Sequence, residues 1–486
     1  MPICPNVTAP ESAPSTFHRR AGLMAVAPTA AGLVLLAISP SATVTLLAMS
    51  LLAGGFALQP SLGLAALATL LPFYLAPRWL GPLAFSMPEL AMLAAVAGAA
   101  LRGLQAWRGS TRPLTARLPT PLDGPAGLFL AAALTSLLAS EILRVSLREL
   151  RILVLEPLAA YYLAAWFLRR ERDIALVAAG LLAGGAAAAL LGLYQYFFTD
   201  HVVAVEGVRR VLGPYLSPNH MGLYLGRMLP MATALALYLP ASRALSVPLA
   251  AVLAGALLLT FSVGAWLASS LAMIVVAGLW WRESTNTPDG ERQLGLDKPT
   301  DSLPQRHEAT KARDEGGPFA SSLPRFLAQA FVPLCPRGYP IGSKAAATVL
   351  VVVILLALVA LAIPLLGAER VWSHFTEGGT GFIRLRLWEA SLHMIRDHPL
   401  LGVGMDNFLY HYRSSYLPPE AAAEPNLSHP HNLLLNFWLE MGVLGVAAAM
   451  WRMRALWRLG HGLGRQPQTA LGRALLAGIA GAGIDL

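Results

Sequence analysis

Ser428-His-Pro-His-Asn-Leu-Leu-Leu-Asn-Phe-Trp-Leu-Glu-Met-Gly-Val-Leu-Gly-Val-Ala-Ala-Ala-Met450 turns within a few residues from a polar loop into an apolar run, 433–450. That run is long enough to cross the roughly 30 Å hydrocarbon core of a bilayer as a helix. Upstream, the polar interval from Gly367 to Gly445 carries Gly-Phe-Ile-Arg-Leu-Arg-Leu-Trp from Gly381 and Pro399-Leu-Leu-Gly-Val-Gly-Met-Asp-Asn-Phe408. Arg384, His429 and His431 are thereby expected where lipid meets water, in the reactive loop of a membrane enzyme.

Composition agrees with that reading. Of 486 residues, 56% are hydrophobic and 13% charged, and the mean hydropathy is +0.56. A soluble chain of this size needs more charge to cover its surface. The expected class is an all-α polytopic membrane protein of about 12–13 transmembrane helices, because only helices and closed barrels satisfy their backbone groups in lipid. Two cysteines, Cys4 and Cys335, make neither a disulfide scaffold nor a Cys-based metal site. The net charge of +9 is spread over short loops, which points to topology and anionic lipid rather than nucleic acid.

Residues 1–20 read as a cytoplasmic tail ending in His18-Arg19-Arg20. Ten spans follow within 21–281, at 21–38, 42–58, 61–76, 87–103, 125–141, 148–167, 174–198, 219–239, 246–261 and 264–281. Residues 282–344, rich in Ser, Pro, Gly and mixed charge, read as a cytoplasmic linker, largely disordered, with a regulatory or partner-binding role as the alternative. A span at 345–367, a large periplasmic loop at 368–432 and C-terminal spans at 433–450 and 469–484 complete the chain. With the N-terminus inside, Arg102, Arg108, Arg112, Arg117, Arg169, Arg170, Arg172, Arg243, Arg452, Arg454, Arg458 and Arg465 all fall in cytoplasmic loops, as the positive-inside rule requires. Small-residue runs such as Ala179–Ala189 predict close helix packing.

Three arginine clusters break the rule and are informative for that reason. Arg144, Arg148 and Arg151 fall within about 60° of one another on a helix. They read either as a diphosphate clamp, through forked hydrogen bonds to phosphate oxygens, or as headgroup anchors paired with Glu141 and Glu149. Arg209 and Arg210 lie in an outer loop shaped by Gly213, Pro214 and Pro218, where an anion site is favoured over plain surface charge. His220 reads as structural. Arg227, inside a span, should face the bundle interior, to bind an anionic headgroup or to pair with an acid such as Glu156. Arg384 suits a phosphate, and Arg386 equally suits a surface helix. Asp406 is a metal or sugar-hydroxyl ligand or, with Asn407, a turn stabiliser. His431, with a usual pKa near 6.5, suits a general base taking a proton from a hydroxyl, and Asn432 can fix its tautomer or the loop turn. No Walker A, His-Glu-x-x-His or Cys-x-x-Cys sequence occurs.

His431-Asn432, nine residues, then Gly442-Val-Leu-Gly445-Val446 resembles the His-Asn-x9-Gly-x-x-Gly-Val pattern of the O-antigen ligase and O-antigen polymerase superfamily. Pro399-Leu-Leu-Gly-Val-Gly with Asn407-Phe408, Arg384 four residues before Trp388, and Arg210-x-x-Gly213 with Pro218-Asn219 are also similar to it, over roughly residues 140–450. The resemblance implies a bacterial inner-membrane glycosyltransferase, its active site facing the periplasm or cell exterior. It would transfer a glycan from undecaprenyl diphosphate to a hydroxyl of another glycan, a lipid A core or a protein, with no cofactor or required metal. Carried over, His431 is the base, Arg210 and Arg384 bind the diphosphate, Arg144 and Arg148 extend that clamp, and Asn432, Arg151, Arg209 and His429 support it. A polymerase of the same superfamily, a transporter of a small anion or lipid-linked intermediate, and a noncatalytic membrane scaffold are the alternatives. The chain departs from the pattern in reading Ser262-Val-Gly264 where the family often has Ser-Arg-Gly. It also ends at Leu486, so a last bundle helix is expected to be missing.

Overall fold

A computed structural model describes residues 16–38, 41–108, 120–205, 208–286, 380–422, 425–463 and 469–482. The expected span at 345–367 and nearly all of the 282–344 insert lie outside the described residues, as does the start of the 368–432 loop.

The protein is an all-α polytopic membrane protein. Its principal helices are α1 (Thr16–Ile38), α2 (Ala42–Leu58), α3 (Pro60–Leu70), α4 (Met87–Arg108), α5 (Asp123–Ser136) and α6 (Leu143–Phe167). Then come α7 (Glu171–Phe198), α8 (Pro218–Tyr238), α9 (Arg243–Leu258), α10 (Val263–Asn286), α11 (Thr380–Asp397), α12 (Leu433–Leu463) and α13 (Ala470–Ala482). Among the described residues, strand occurs only as two small antiparallel hairpins, β1–β2 (Arg78–Leu80, Leu83–Phe85) and β3–β4 (Val203–Val205, Val208–Arg210). Six described helices are long and apolar enough to cross a membrane: α4, α6, α7, α9 with its leading turn, α10 and α12. Shorter apolar helices occur in α1, α2, α3, α5 and α13.

α8 qualifies in neither group, yet most of its 21 residues are buried. Its core partners come from α7, α9, α10 and α13, so Arg227 within it is partly covered by neighbouring helices, while Asn219 and His220 stay exposed in its first turn. α1 to α4 pack round Phe56 and Leu90. α5, α6 and α12 share a smaller core that includes Met405 from the loop before α12. Because lipid tails are as apolar as leucine, close backbone approach rather than water exclusion holds such helices together. The alanines and glycines of α7 supply it: Ala178, Ala188 and Ala189 are buried there.

The inter-helix connections sort to two ends. At one end, Arg78 donates from Nη2 to Leu36 O at 2.9 Å and Arg210 donates from Nε to Thr260 O at 2.8 Å. Trp388 donates from Nε1 to Pro430 O at 2.9 Å, at the same end. At the other end, Arg102 donates to Ala57 O at 2.7 Å, Arg243 to Ala236 O at 2.8 Å, and Arg473 pairs with Glu283 at 3.2 Å. α12 runs to Leu463, further than the span expected at 433–450. α6 starts at Leu143 rather than 148, so the arginine stripe lies on the crossing helix itself.

Candidate functional site

The site forms where the α11–α12 connection folds back over the N-terminal ends of α6 and α8. Two local devices shape it. Gly442 has φ 65° and ψ −161°, which interrupts α12. In an unbroken helix the Leu439 carbonyl would accept from residue 443. Here it accepts from Val403 N–H at 2.7 Å, and Trp438 Nε1 donates to Pro399 O at 2.9 Å. The Pro399–Gly404 segment is thus stitched onto α12, and a Cβ at Gly442 would collide with Leu400 O.

The second device is Asn407, which is fully buried. Its Nδ2 donates to Ser146 Oγ at 2.6 Å, Met405 O at 2.8 Å and Ser140 Oγ at 3.1 Å, while its Oδ1 accepts from Ile142 N–H at 3.0 Å. Gly404, at φ 91°, lets this turn touch Ser140: a Cβ there would stand 2.9 Å from Ser140 Cα. The first two turns of α6, bearing Arg144 and Arg148, are thereby fixed against the loop bearing Asp406.

The histidines sit on the next segment. Asn432 caps α12, its Oδ1 accepting from the N–H groups of Leu434 (3.1 Å) and Leu435 (3.2 Å). Of its two expected roles, this is the turn. His431 has φ 51°, an uncommon backbone for a side-chain-bearing residue. The His429 and His431 rings meet edge to face, centroids 4.3 Å apart, and His429 Nδ1 lies 2.9 Å from Ser428 Oγ. The bond from Trp388 to Pro430 between them ties the pair to α11, and so to Arg384 one turn earlier.

Charge then selects the protonation states. Burial, with the positive charge of His429, Arg384 and His220, pushes the His431 pKa down to about 4. His431 is therefore a neutral imidazole at physiological pH. Burial also lowers His429, with His220 adding to the effect and Asp406 opposing it. Burial raises the Asp406 carboxyl, while Arg148 and then His429 pull it back. His220, Arg384, His429, His431, Asp406 and Arg148 therefore form one connected electrostatic group drawn from α8, α11, α6 and the loop before α12.

The other expected residues divide. Arg210 holds Asn219 Oδ1 at 3.0 Å through Nη2 as well as the Thr260 carbonyl, and burial lowers its pKa. It thus stands beside the first turn of α8, where His220 follows Asn219. Arg144 is exposed on the first turn of α6. Arg151, the second residue of a π-helical stretch at Leu150–Leu155, pairs with Glu89 of α4 at 2.6 Å. Arg209 turns back to the Tyr196 and Thr199 carbonyls at the end of α7. Arg386 pairs with Glu389 at 2.6 Å on the α11 surface. Glu156 lies near Arg151, at 3.9 Å.

His220, expected to be structural, is exposed in the first turn of α8 and adds to the effects that lower His429 and His431. Its only local signal is its place in the first turn of a helix opened by Ser217 and Pro218, Ser217 Oγ accepting from Asn219 N–H. Among the described residues, no group of three or more His, Cys, Asp or Glu is arranged to hold a metal ion.

Residues 326–450 match the family described as O-antigen ligase. That interval contains α11, the Asn407 turn, the histidine pair and α12 as far as Met450. The match places these residues in the O-antigen ligase superfamily, whose members are membrane glycosyltransferases of the ligase type. No curated protein matches the chain.

Proposed function

With that domain as premise, we propose that the protein transfers a glycan from undecaprenyl diphosphate to an acceptor hydroxyl. The observation that carries this reading is the His429–His431 ring pair tied through Pro430 to Trp388 of α11, the helix that bears Arg384 one turn earlier. A base and a cation together suit a reaction in which a hydroxyl loses a proton while a diphosphate departs. The acceptor O–H gives its proton to a ring nitrogen of His431, and its oxygen attacks the anomeric carbon. The bond from that carbon to the phosphate oxygen breaks, and its electron pair stays on the diphosphate. Arg384 and Arg210, extended by Arg148 and Arg144 on α6, meet the charge that develops there.

The end of the bundle bearing this site faces the periplasm or cell exterior in this proposal, because the opposite end carries Arg102, Arg108, Arg169, Arg170, Arg243 and Arg454. The membrane is then the bacterial inner membrane. The test supplies purified protein in proteoliposomes with a lipid-diphosphate glycan and candidate acceptors, and weighs the products. Wild-type protein forms a new glycosidic bond, and the product mass distinguishes ligase from polymerase. His431→Gln reduces turnover by roughly 10²–10⁴-fold, the usual worth of a general base. Transfer left intact in this variant removes His431 from the role of base, and flux across sealed vesicles without a new bond points to a transporter.

A further inference from the structure

Between α3 and α4 the chain runs from Leu71 to Pro88 with a single charged side chain, Arg78, and that one is buried. What it exposes instead is apolar: Leu71 and Tyr74 are each 42% exposed, Trp79 56% and Leu83 59%. The last two belong to the β1–β2 hairpin, which pairs Arg78 with Phe85, Trp79 with Ala84 and Leu80 with Leu83. Cross-strand partners share a face and successive residues alternate. Trp79 and Leu83 therefore lie on opposite faces, and both faces of the tip are open. Gly81, at φ 62°, and Pro82 close it, with glycine first as a two-residue hairpin loop favours.

The hairpin does not fold back to hide this surface, because its root is held on two sides. Arg78 donates from Nη2 to Leu36 O at 2.9 Å and Ala37 O at 3.1 Å, and from Nε to Leu36 O at 3.1 Å. These are carbonyls that the end of α1 leaves without helical partners. On the other strand, Phe85 lies under the Arg151 guanidinium of α6, its ring centre 5.6 Å from Cζ. Ser86 N–H donates to Glu89 Oε2 at 2.5 Å and Glu89 N–H to Ser86 Oγ at 3.3 Å, a reciprocal pair that opens α4. Glu89 also holds Arg151 at 2.6 Å.

We propose that the β1–β2 tip is an interfacial anchor, resting in the lipid leaflet on the side of the histidine loop, at the boundary between headgroups and acyl chains. Two limits fix that depth. A sheet of two strands leaves one edge of each strand open, so its backbone stays out of the hydrocarbon core, where nothing replaces the missing partners. A charge-free tip with an exposed Trp and Leu is disfavoured in water, and Trp rests well at headgroup level, its ring in lipid and its N–H wet. Lipid is the occupant because the surface continues that of a crossing helix: α4, long and apolar enough to span, starts at Met87, two residues past Phe85. A protein partner would find two strands of three residues each, far short of the roughly 800 Å² per side of a standard interface, and no exposed charge to select it. The anchor requires no transfer chemistry. Its height is passed to α6, which is joined to the root through Glu89 and Arg151.

The test places a nitroxide on the full-length chain in proteoliposomes of phosphatidylethanolamine and phosphatidylglycerol, after Cys4→Ser and Cys335→Ser. The ratio of collisions with oxygen to collisions with an aqueous nickel chelate reads depth. At Leu83→Cys and at Trp79→Cys it should be several-fold higher than at Ser415→Cys, exposed in the loop before α12, and lower than at Ile274→Cys, exposed midway along α10. A ratio at either tip position no higher than at Ser415→Cys overturns the anchor, and one equal to Ile274→Cys overturns the interfacial depth. Spin–spin broadening that vanishes on dilution with unlabelled protein makes a second copy the occupant and overturns lipid. A second measurement keeps the native cysteines and needs no label, should a labelled tip misfold. Trp79→Phe should remove an emission component that lipid brominated near the headgroups quenches more than lipid brominated deep in the chains. If aqueous iodide quenches that component and brominated lipid does not, the tip lies in water and the proposal fails.

Discussion

Gly442→Ala tests the architecture of the site most directly. At φ 65° and ψ −161° the backbone lies in a region open essentially only to glycine, and a side chain there costs about 1–3 kcal/mol. The added methyl would also strike the Leu400 carbonyl and come within 2.7 Å of Leu401 N. Both are backbone, so no rotamer change relieves the clash. The Pro399–Gly404 segment must lift from α12, and the bonds from Val403 N–H to Leu439 O and from Trp438 Nε1 to Pro399 O are lost. At about 1 kcal/mol net for each bond, the total is about 3–5 kcal/mol. The assay compares thermal unfolding of purified Gly442→Ala with Gly255→Ala, where a Cβ meets nothing within 4 Å and α9 is regular. Gly255→Ala should melt at or slightly above wild type, and Gly442→Ala several degrees lower, with transfer lost before unfolding because the Asp406 turn moves. A Gly442→Ala protein that melts like Gly255→Ala and keeps its activity refutes this account of the break in α12.

Asn407→Ala leaves the part-buried Ile142 N–H without its acceptor, while the Met405 carbonyl keeps Ser146 Oγ, and should destabilise by about 1–3 kcal/mol; thermal unfolding beside Asn219→Ala, whose side chain is exposed, checks the ranking. The pH profile supplies another outcome. A His431 held near 4 stays a competent base well below pH 6.5, so the acid limb of kcat/KM attributable to it lies near 4. Arg384→Gln removes one of the charges depressing it and moves that limb upward, in addition to weakening donor binding. The sign for stability follows: with the folded pKa below the unfolded value of about 6.5, the unfolded chain binds more protons between those values. The His431 contribution is therefore complete above about pH 6.5 and lost as pH falls toward 4. Solvent screening keeps it small, because His431 reaches solvent at the loop surface even though its ring packs against His429.

The membrane class and the helix positions were legible because both are properties of local composition. An apolar run such as 433–450 must satisfy its backbone internally in lipid whatever it packs against. The histidine loop and Arg384 stood out from residue type and spacing, and their roles remain part of the proposed function. Arg151, at the start of the π-helical stretch from Leu150, pairs with Glu89 of α4, a partner far away in sequence that no helical wheel displays. Arg209 donates to the Tyr196 and Thr199 carbonyls, which the end of a helix leaves bare. Neither set of partners is adjacent in sequence. Asp406 and His220 stayed ambiguous for the same reason, since an Asp-Asn turn and a first-turn histidine are common where nothing functional happens.

What the sequence by itself determined is therefore a many-span helical protein with a histidine-bearing loop at a span boundary and arginines in segments where topology alone disfavours them. Only the tertiary structure decided which of those segments come together. That choice depends on long-range contacts: Asn407 reaching Ser140 and Ser146, Trp388 reaching Pro430, and a carbonyl of α12 freed at Gly442 to receive Val403. Local chemistry sets which groups can ionise or donate. The packed backbone sets their neighbours, and in this site the neighbours leave His431 neutral beside Arg384.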